Sequence, residues 1–109
     1  MQQLTPAQLS ILDRVAASGF AIVAFPLYAS AIGVRRGSFA ALLVPVEPGG
    51  LGILGAPCYL IDGNLSVRVT RKGRRVFAWK NREVEATPEL LAELRQFAAD
   101  VAQLLVPVV

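Results

Sequence analysis

An α+β fold is what this 109-residue chain predicts, and three observations predict it. Two segments begin as helices do, at Thr5-Pro6 and Thr87-Pro88, with apolar residues at helical spacing behind them. The residues between are cut into short apolar runs by turn signals, of which Asp62-Gly63-Asn64 is the strongest. Charge is partitioned as well. Seven of the eleven basic residues lie between Arg68 and Arg82, whereas residues 15–61 carry only Arg35, Arg36 and Glu47. The expected architecture is an N-terminal helix, an antiparallel β-meander of about five strands and a C-terminal amphipathic helix packed on the sheet. Residues 1–109 read as a single small domain, long enough to bury a core without disulfides or metals.

The first helix has a written start. Thr5 suits the N-cap, Pro6 the first helical position and Gln8 the third, which completes a capping box. Leu4 and Leu9 take the staple positions, and Leu9, Leu12 and Ala16, with Ile11 and Val15 beside them, form the expected apolar face. Gly19 is the expected left-handed stop. Strand-like pieces follow on either side of Pro26: Phe20, Ile22 and Val23 before it, and Leu27, Tyr28, Ile32 and Val34 after it. Residues 15–34 are uncharged over twenty positions, the length of a membrane span, with Arg35 and Arg36 directly behind. Ser18-Gly19 and Pro26 interrupt that run, so buried strands are the favoured reading and a membrane span the lesser one.

Arg35-Arg36-Gly37 reads as the turn between apolar runs 27–34 and 38–46. Pro45 and Pro48 are then expected to end the pairing. Residues Pro48 to Pro57, with four glycines, read as a loop holding Leu51, Ile53 and Leu54 inward. No G-x-x-x-x-G-K-[ST] pattern accompanies those glycines, so a phosphate cradle is not indicated. Asp62-Gly63-Asn64 joins strand 58–61 to strand 65–70, Lys72-Gly73 makes the next turn, and Lys80 to Glu83 the last. In the closing helix Leu90, Leu94, Phe97, Val101 and Leu104 recur on one face, Glu89 favours the first turn, and Pro107 ends the segment.

Six cations of the ribbon at 66–82 form a candidate polyanion site: Arg68, Arg71, Lys72, Arg74, Arg75 and Arg82. Whether Phe77 and Trp79 join them depends on register, because strand side chains alternate between faces. A two-residue loop, Lys72-Gly73, would set Phe77 opposite Arg68 and Trp79 opposite Ser66, as an exposed basic-aromatic platform. A three-residue loop, Arg71-Lys72-Gly73, would set Val67 opposite Phe77 and Leu65 opposite Trp79, leaving Arg68, Thr70, Arg74, Glu83 and Glu85 in water. The second register obeys binary patterning and is the expected one.

The absence of histidine rules out Ser-His-Asp and Cys-His machinery and imidazole metal sites within one chain, and a single cysteine builds no thiolate zinc site. Cys58, Tyr28, Tyr59, Asp62, Lys80 and the glutamates are the remaining reactive types, but no pair of carboxylates, Glu83 with Glu85 or Glu89 with Glu93 included, comes with an enclosing cleft. Cys58 reads as a small apolar strand residue, and Asp62 serves its turn. The expectation is a non-catalytic module with no catalytic residues, no cofactor and no metal. With one cysteine and a helix start at Thr5-Pro6 in place of a basic leader, it is placed in the cytoplasm. The apolar fraction of 54% exceeds what so small a core can hide, so residues 20–61 are expected to self-associate into a homo-oligomer. A nucleic acid or an acidic protein at the basic ribbon is the alternative partner.

Overall fold

A computed structural model describes residues 4–47 and 49–105. Helix α1 (Pro6–Ala17) leads into β1 (Ala21–Val23), a 3-10 turn at Pro26–Tyr28, β2 (Ile32–Arg36), β3 (Phe39–Val46), β4 (Gly50–Ile61) and β5 (Asn64–Leu65). Then come β6 (Val67–Arg71), β7 (Arg74–Trp79), β8 (Arg82–Glu85) and helix α2 (Pro88–Leu105). The fold is α+β, with eight strands among the described residues in two antiparallel meanders where about five in one were expected: β1-β2-β3-β4-β5 and β6-β7-β8.

The helices begin where their caps say. Thr5 Oγ1 accepts from the Gln8 backbone N–H at 3.1 Å, and Gln8 Oε1 accepts from the Thr5 N–H at 2.9 Å. Thr87 Oγ1 accepts likewise from the Leu90 N–H at 3.1 Å. Gly19, at φ 96°, supplies the left-handed residue after α1. The buried face of α1 is rotated from expectation. Gln8, Ile11 and Val15 are buried while Leu9 and Ala16 are exposed. Gln8 is hidden because its side-chain amide donates to the Gly50 carbonyl at 3.0 Å, clamping α1 onto β4.

Residues 50–57 correct the loop expected there. They extend β3 and β4 into a long ladder in which Pro45 pairs with Leu51 and Leu43 with Ile53. Pro45 therefore sits inside a strand and does not end it, while Pro48 and Pro107 lie outside the described residues. Alternation explains the glycines. Leu51 and Ile53 point to the helices, and Gly50 and Gly52 occupy the opposite face. Leu54, expected inside, shares the glycines' face and is exposed.

One face of the five-stranded sheet carries Val34, Ala41, Leu43 and Leu51, and both helices cover it with Ile11, Val15, Phe97 and Val101. A second cluster unites Ile61, Phe77, Ala86, Leu91 and Leu94, and joins α2 to the three-stranded sheet. Phe39 touches both clusters. No helix among the described residues is long and apolar enough to cross a membrane; within 15–34, helix α1 ends at Ala17.

Candidate functional site

Two surfaces stand out: the sheet face away from the helices and the basic ribbon. On the first, the register aligns Val23, Gly33, Leu42 and Leu54 directly across four strands, with Ala21, Arg35, Ala40 and Cys58 in a flanking row. Val44 and Val46 continue it opposite Gly52 and Gly50. Both helices lie on the other side, so among the described residues no helix covers this face, although Gly33, Ala40 and Leu42 are buried within it. Phe25 reaches back onto Gly33, while Leu27 and Tyr28 stand out from the adjoining 3-10 turn. Leu27 is 75% exposed, Leu54 46% and Val46 44%. Across β1 to β4 Arg35 is the one charge on this face, and its Nε donates to the Gly37 carbonyl at 2.8 Å.

The ribbon corrects the expected register. Arg71 pairs with Arg74, Val69 with Val76 and Arg68 with Phe77, so the loop is Lys72-Gly73 alone, at φ 51° and 77°. Two successive left-handed residues form the tight turn whose twist matches that of the strands, and this outweighs the tidier pattern of the three-residue loop. The same device recurs at Asp62-Gly63, φ 52° and 78°. Phe77 is nonetheless buried, stacked on Tyr59 with ring centroids 5.0 Å apart. Trp79 is half-buried, with the Lys80 ammonium 5.5 Å from its ring centroid. Val67, expected inside, is 62% exposed.

The six candidate cations separate by partner. Arg71 pairs with Glu83, Arg74 with Glu85, and Arg82 Nη1 lies 2.9 Å from Asp62 Oδ2. Hydrogen bonding and charge from Glu85 hold the Arg74 guanidinium above its ordinary range. Arg68, Lys72 and Arg75 form no ion pair with the described residues. Three carboxylates thus interleave with the cations. The sequence shows the acids, but only the register and the fold show which bases they neutralise.

Between the β2–β3 turn and α2 lies a cleft of about 420 Å³ bordered by Arg36, Phe39, Tyr59, Glu93 and Gln96. Its arginine is committed elsewhere: the Arg36 guanidinium carbon sits 4.7 Å from the Phe20 ring centroid, and its Nη2 lies 2.8 Å from Asp100 Oδ2. Gln96 Nε2 donates to the other Asp100 oxygen at 2.8 Å. Sequence reading missed this network, because Arg36 and Asp100 are 64 positions apart. The Arg36 hydrogen bond, aided by Gln96, holds the Asp100 carboxyl below its usual range. A carboxylate depressed in the fold stabilises above its unfolded pKa and loses that contribution as pH falls through the folded one. The melting-temperature gap between the native chain and Asp100→Asn should therefore be widest at neutral pH and close as the pH falls below the ordinary carboxylate range.

Cys58 lies on β4 as expected but is only half-buried; its Sγ–H donates to the Ala56 carbonyl at 3.4 Å, and burial pushes the thiol's pKa up. Among the described residues no cluster of three metal-ligating side chains forms. Compared with protein-family models, with curated proteins and with solved structures, the chain has no match in any of the three.

Proposed function

We propose that this chain is a non-catalytic interaction module of the cytoplasm that self-associates through the helix-free face of its five-stranded sheet. The supporting observation is the exposed apolar set Leu54, Val46 and Leu27 around an uncharged row, Val23, Gly33 and Leu42, of which Gly33 and Leu42 are buried in the single chain. A second copy is the occupant that fits. Two sheets pack face to face at about 10 Å when both inner faces are apolar, and a twofold axis presents this patch to itself. β1, β2 and β3 have three, five and eight residues, so with strands about 4.8 Å apart and a rise of about 3.3 Å per residue the four-stranded face spans roughly 400 Å². That is less than the roughly 800 Å² per partner of a standard interface, so a dimer in the micromolar range is expected. Sedimentation velocity from about 1 to 100 µM should show the native chain shifting from monomer to dimer as concentration rises. Leu54→Lys should hold it monomeric with its circular dichroism unchanged, because an exposed position costs little in the fold. A native chain that stays monomeric over that range overturns the proposal, as does a dimer indifferent to Leu54→Lys.

A second reading, acidic-partner or nucleic-acid binding at the basic ribbon, draws support from Arg68, Lys72 and Arg75, three of the six candidate cations that form no ion pair with the described residues. It would be driven by charge and would weaken with salt.

A further inference from the structure

The hairpin that begins at Asp62-Gly63 comes apart after a few residues. Ile61 pairs with Asn64 and Leu60 with Leu65, and the Tyr59 carbonyl then accepts from both the backbone N–H and the Oγ of Ser66. Pro57 follows on β4 with no N–H to offer, the ladder stops, and β6 leaves to join β7. The parting strands leave a cleft of about 360 Å³ between Pro57 and Cys58 on one side and Ser66 and Arg68 on the other, with Phe77 and Leu94 also lining it. Beyond it β6 is an edge strand, paired only with β7 among the described residues.

The two edges bounding the cleft differ. Gly55, at φ 68°, and Pro57 break β4 as a template for pairing. β6 reads Val67-Arg68-Val69-Thr70-Arg71, β-branched at three positions and free of glycine and proline. Arg68 on that edge, and Arg71 behind its pairing with Glu83, discourage a second copy from adding to it, which protects the free chain against edge-to-edge growth. The same charges attract acidic chain. Arg68 has no carboxylate among the described residues, and it stands opposite Phe77 on the face that borders the cleft.

We propose that the outer edge of β6 takes up an acidic, extended peptide segment as an added strand. An apolar side chain of the peptide enters the cleft against Pro57 and Val67, above the buried Phe77 and Leu94, and a carboxylate reaches Arg68. This rests on the second reading above and names its partner. The cleft is at the small end of ligand-pocket sizes, about 300–1,000 Å³, so it accepts a side chain while the peptide backbone lies along the open edge. Nucleic acid fits less well. Glu83, Glu85 and Asp62 stand among the cations, and Phe77 is buried against Tyr59, so the surface lacks both a free row of positive charge and a stacking platform.

The test uses the full chain and a fluorescein-labelled octapeptide of alternating Val-Val and Glu-Glu pairs, so that each strand face carries both residue types, with the valine–lysine peptide of the same pattern as its control. Anisotropy should report saturable binding of the acidic peptide alone. Amide shifts in a nitrogen-15 spectrum should concentrate on Val67 to Arg71. Arg68→Glu should weaken binding at least tenfold and Arg68→Gln severalfold, whereas Lys72→Glu, an equal charge change at the hairpin tip, should cost under threefold. Binding that responds equally to Arg68→Glu and Lys72→Glu, with shifts scattered over the ribbon, overturns strand addition and leaves the ribbon as a general charge surface. Absence of binding by the peptide removes both. Tighter binding of a labelled single-stranded oligonucleotide than of the peptide also sinks the proposal.

Discussion

Phe97→Ala is expected to remove about 3–5 kcal/mol of folding stability, the cost of emptying a large aromatic site in a core. Phe97 is fully buried on α2, with its ring centroid 5.8 Å from that of Phe20 and 6.0 Å from that of Phe39. The Arg36 guanidinium carbon lies 5.7 Å from the same ring. One side chain thus meets the residue before β1, the first residue of β3 and the cation that α2 holds through Asp100. Small domains are stable by only about 5–15 kcal/mol, so the loss is a large share of the total. Urea titration followed by circular dichroism should show the midpoint falling with little change in slope. Phe97→Leu keeps more of the volume and should lose much less, which preserves the comparison if the alanine variant does not fold. A loss under about 1 kcal/mol for Phe97→Ala would mean that α2 does not pack on the sheet as described. Leu27→Ala, at a position 75% exposed, should by contrast lie within about 0.5 kcal/mol of the native chain at low protein concentration.

The sequence announces its helices and turns more clearly than its registers. Thr5, Gln8 and Thr87 form local hydrogen bonds within three or four residues, so the signal and the structure occupy the same few positions. Asp62-Gly63 is of the same kind. Residues 48–57 misled because four glycines between two prolines look like loop, while the alternation of Leu51 and Ile53 with Gly50 and Gly52 was the better guide. The ribbon misled for a different reason. Binary patterning assumes that a sheet face is wholly core or wholly solvent, but the face that buries Phe77 also carries Arg68 directly across from it and Arg75 nearer the hairpin tip. Length of overhang is a tertiary quantity, and the chain does not write it locally. For the candidate site, low charge density in residues 20–61 marked the region but not the face. That needed strand pairings, and so did the ion pairs that neutralise half of the proposed cationic site.

Gly33→Val is expected to cost at least as much as ordinary overpacking, about 1–3 kcal/mol, and to disturb the self-association face as well. A Cβ at Gly33 would stand 2.6 Å from Phe25 Cε2 and 2.6 Å from the Val23 carbonyl oxygen. The two clashes differ in kind. A phenyl ring can swing away into solvent, but the carbonyl belongs to β1, whose Val23 pairs with Gly33 itself. Trimming the ring therefore relieves only half of the problem. In a double-mutant cycle on thermal stability, Phe25→Ala should recover part of the Gly33→Val loss and leave β1 displaced. Full recovery would show that the ring alone required the glycine, and no recovery would show that Phe25 does not lie over the sheet. Gly33→Ala, with a smaller side chain but the same Cβ, should keep most of the penalty, because the contact that cannot yield is already made by that atom. The glycine thus has a packing role without a special backbone angle. It gives Phe25 a seat on the row that ends at Leu54, and the smoothness of that row is what a second copy of the chain would meet.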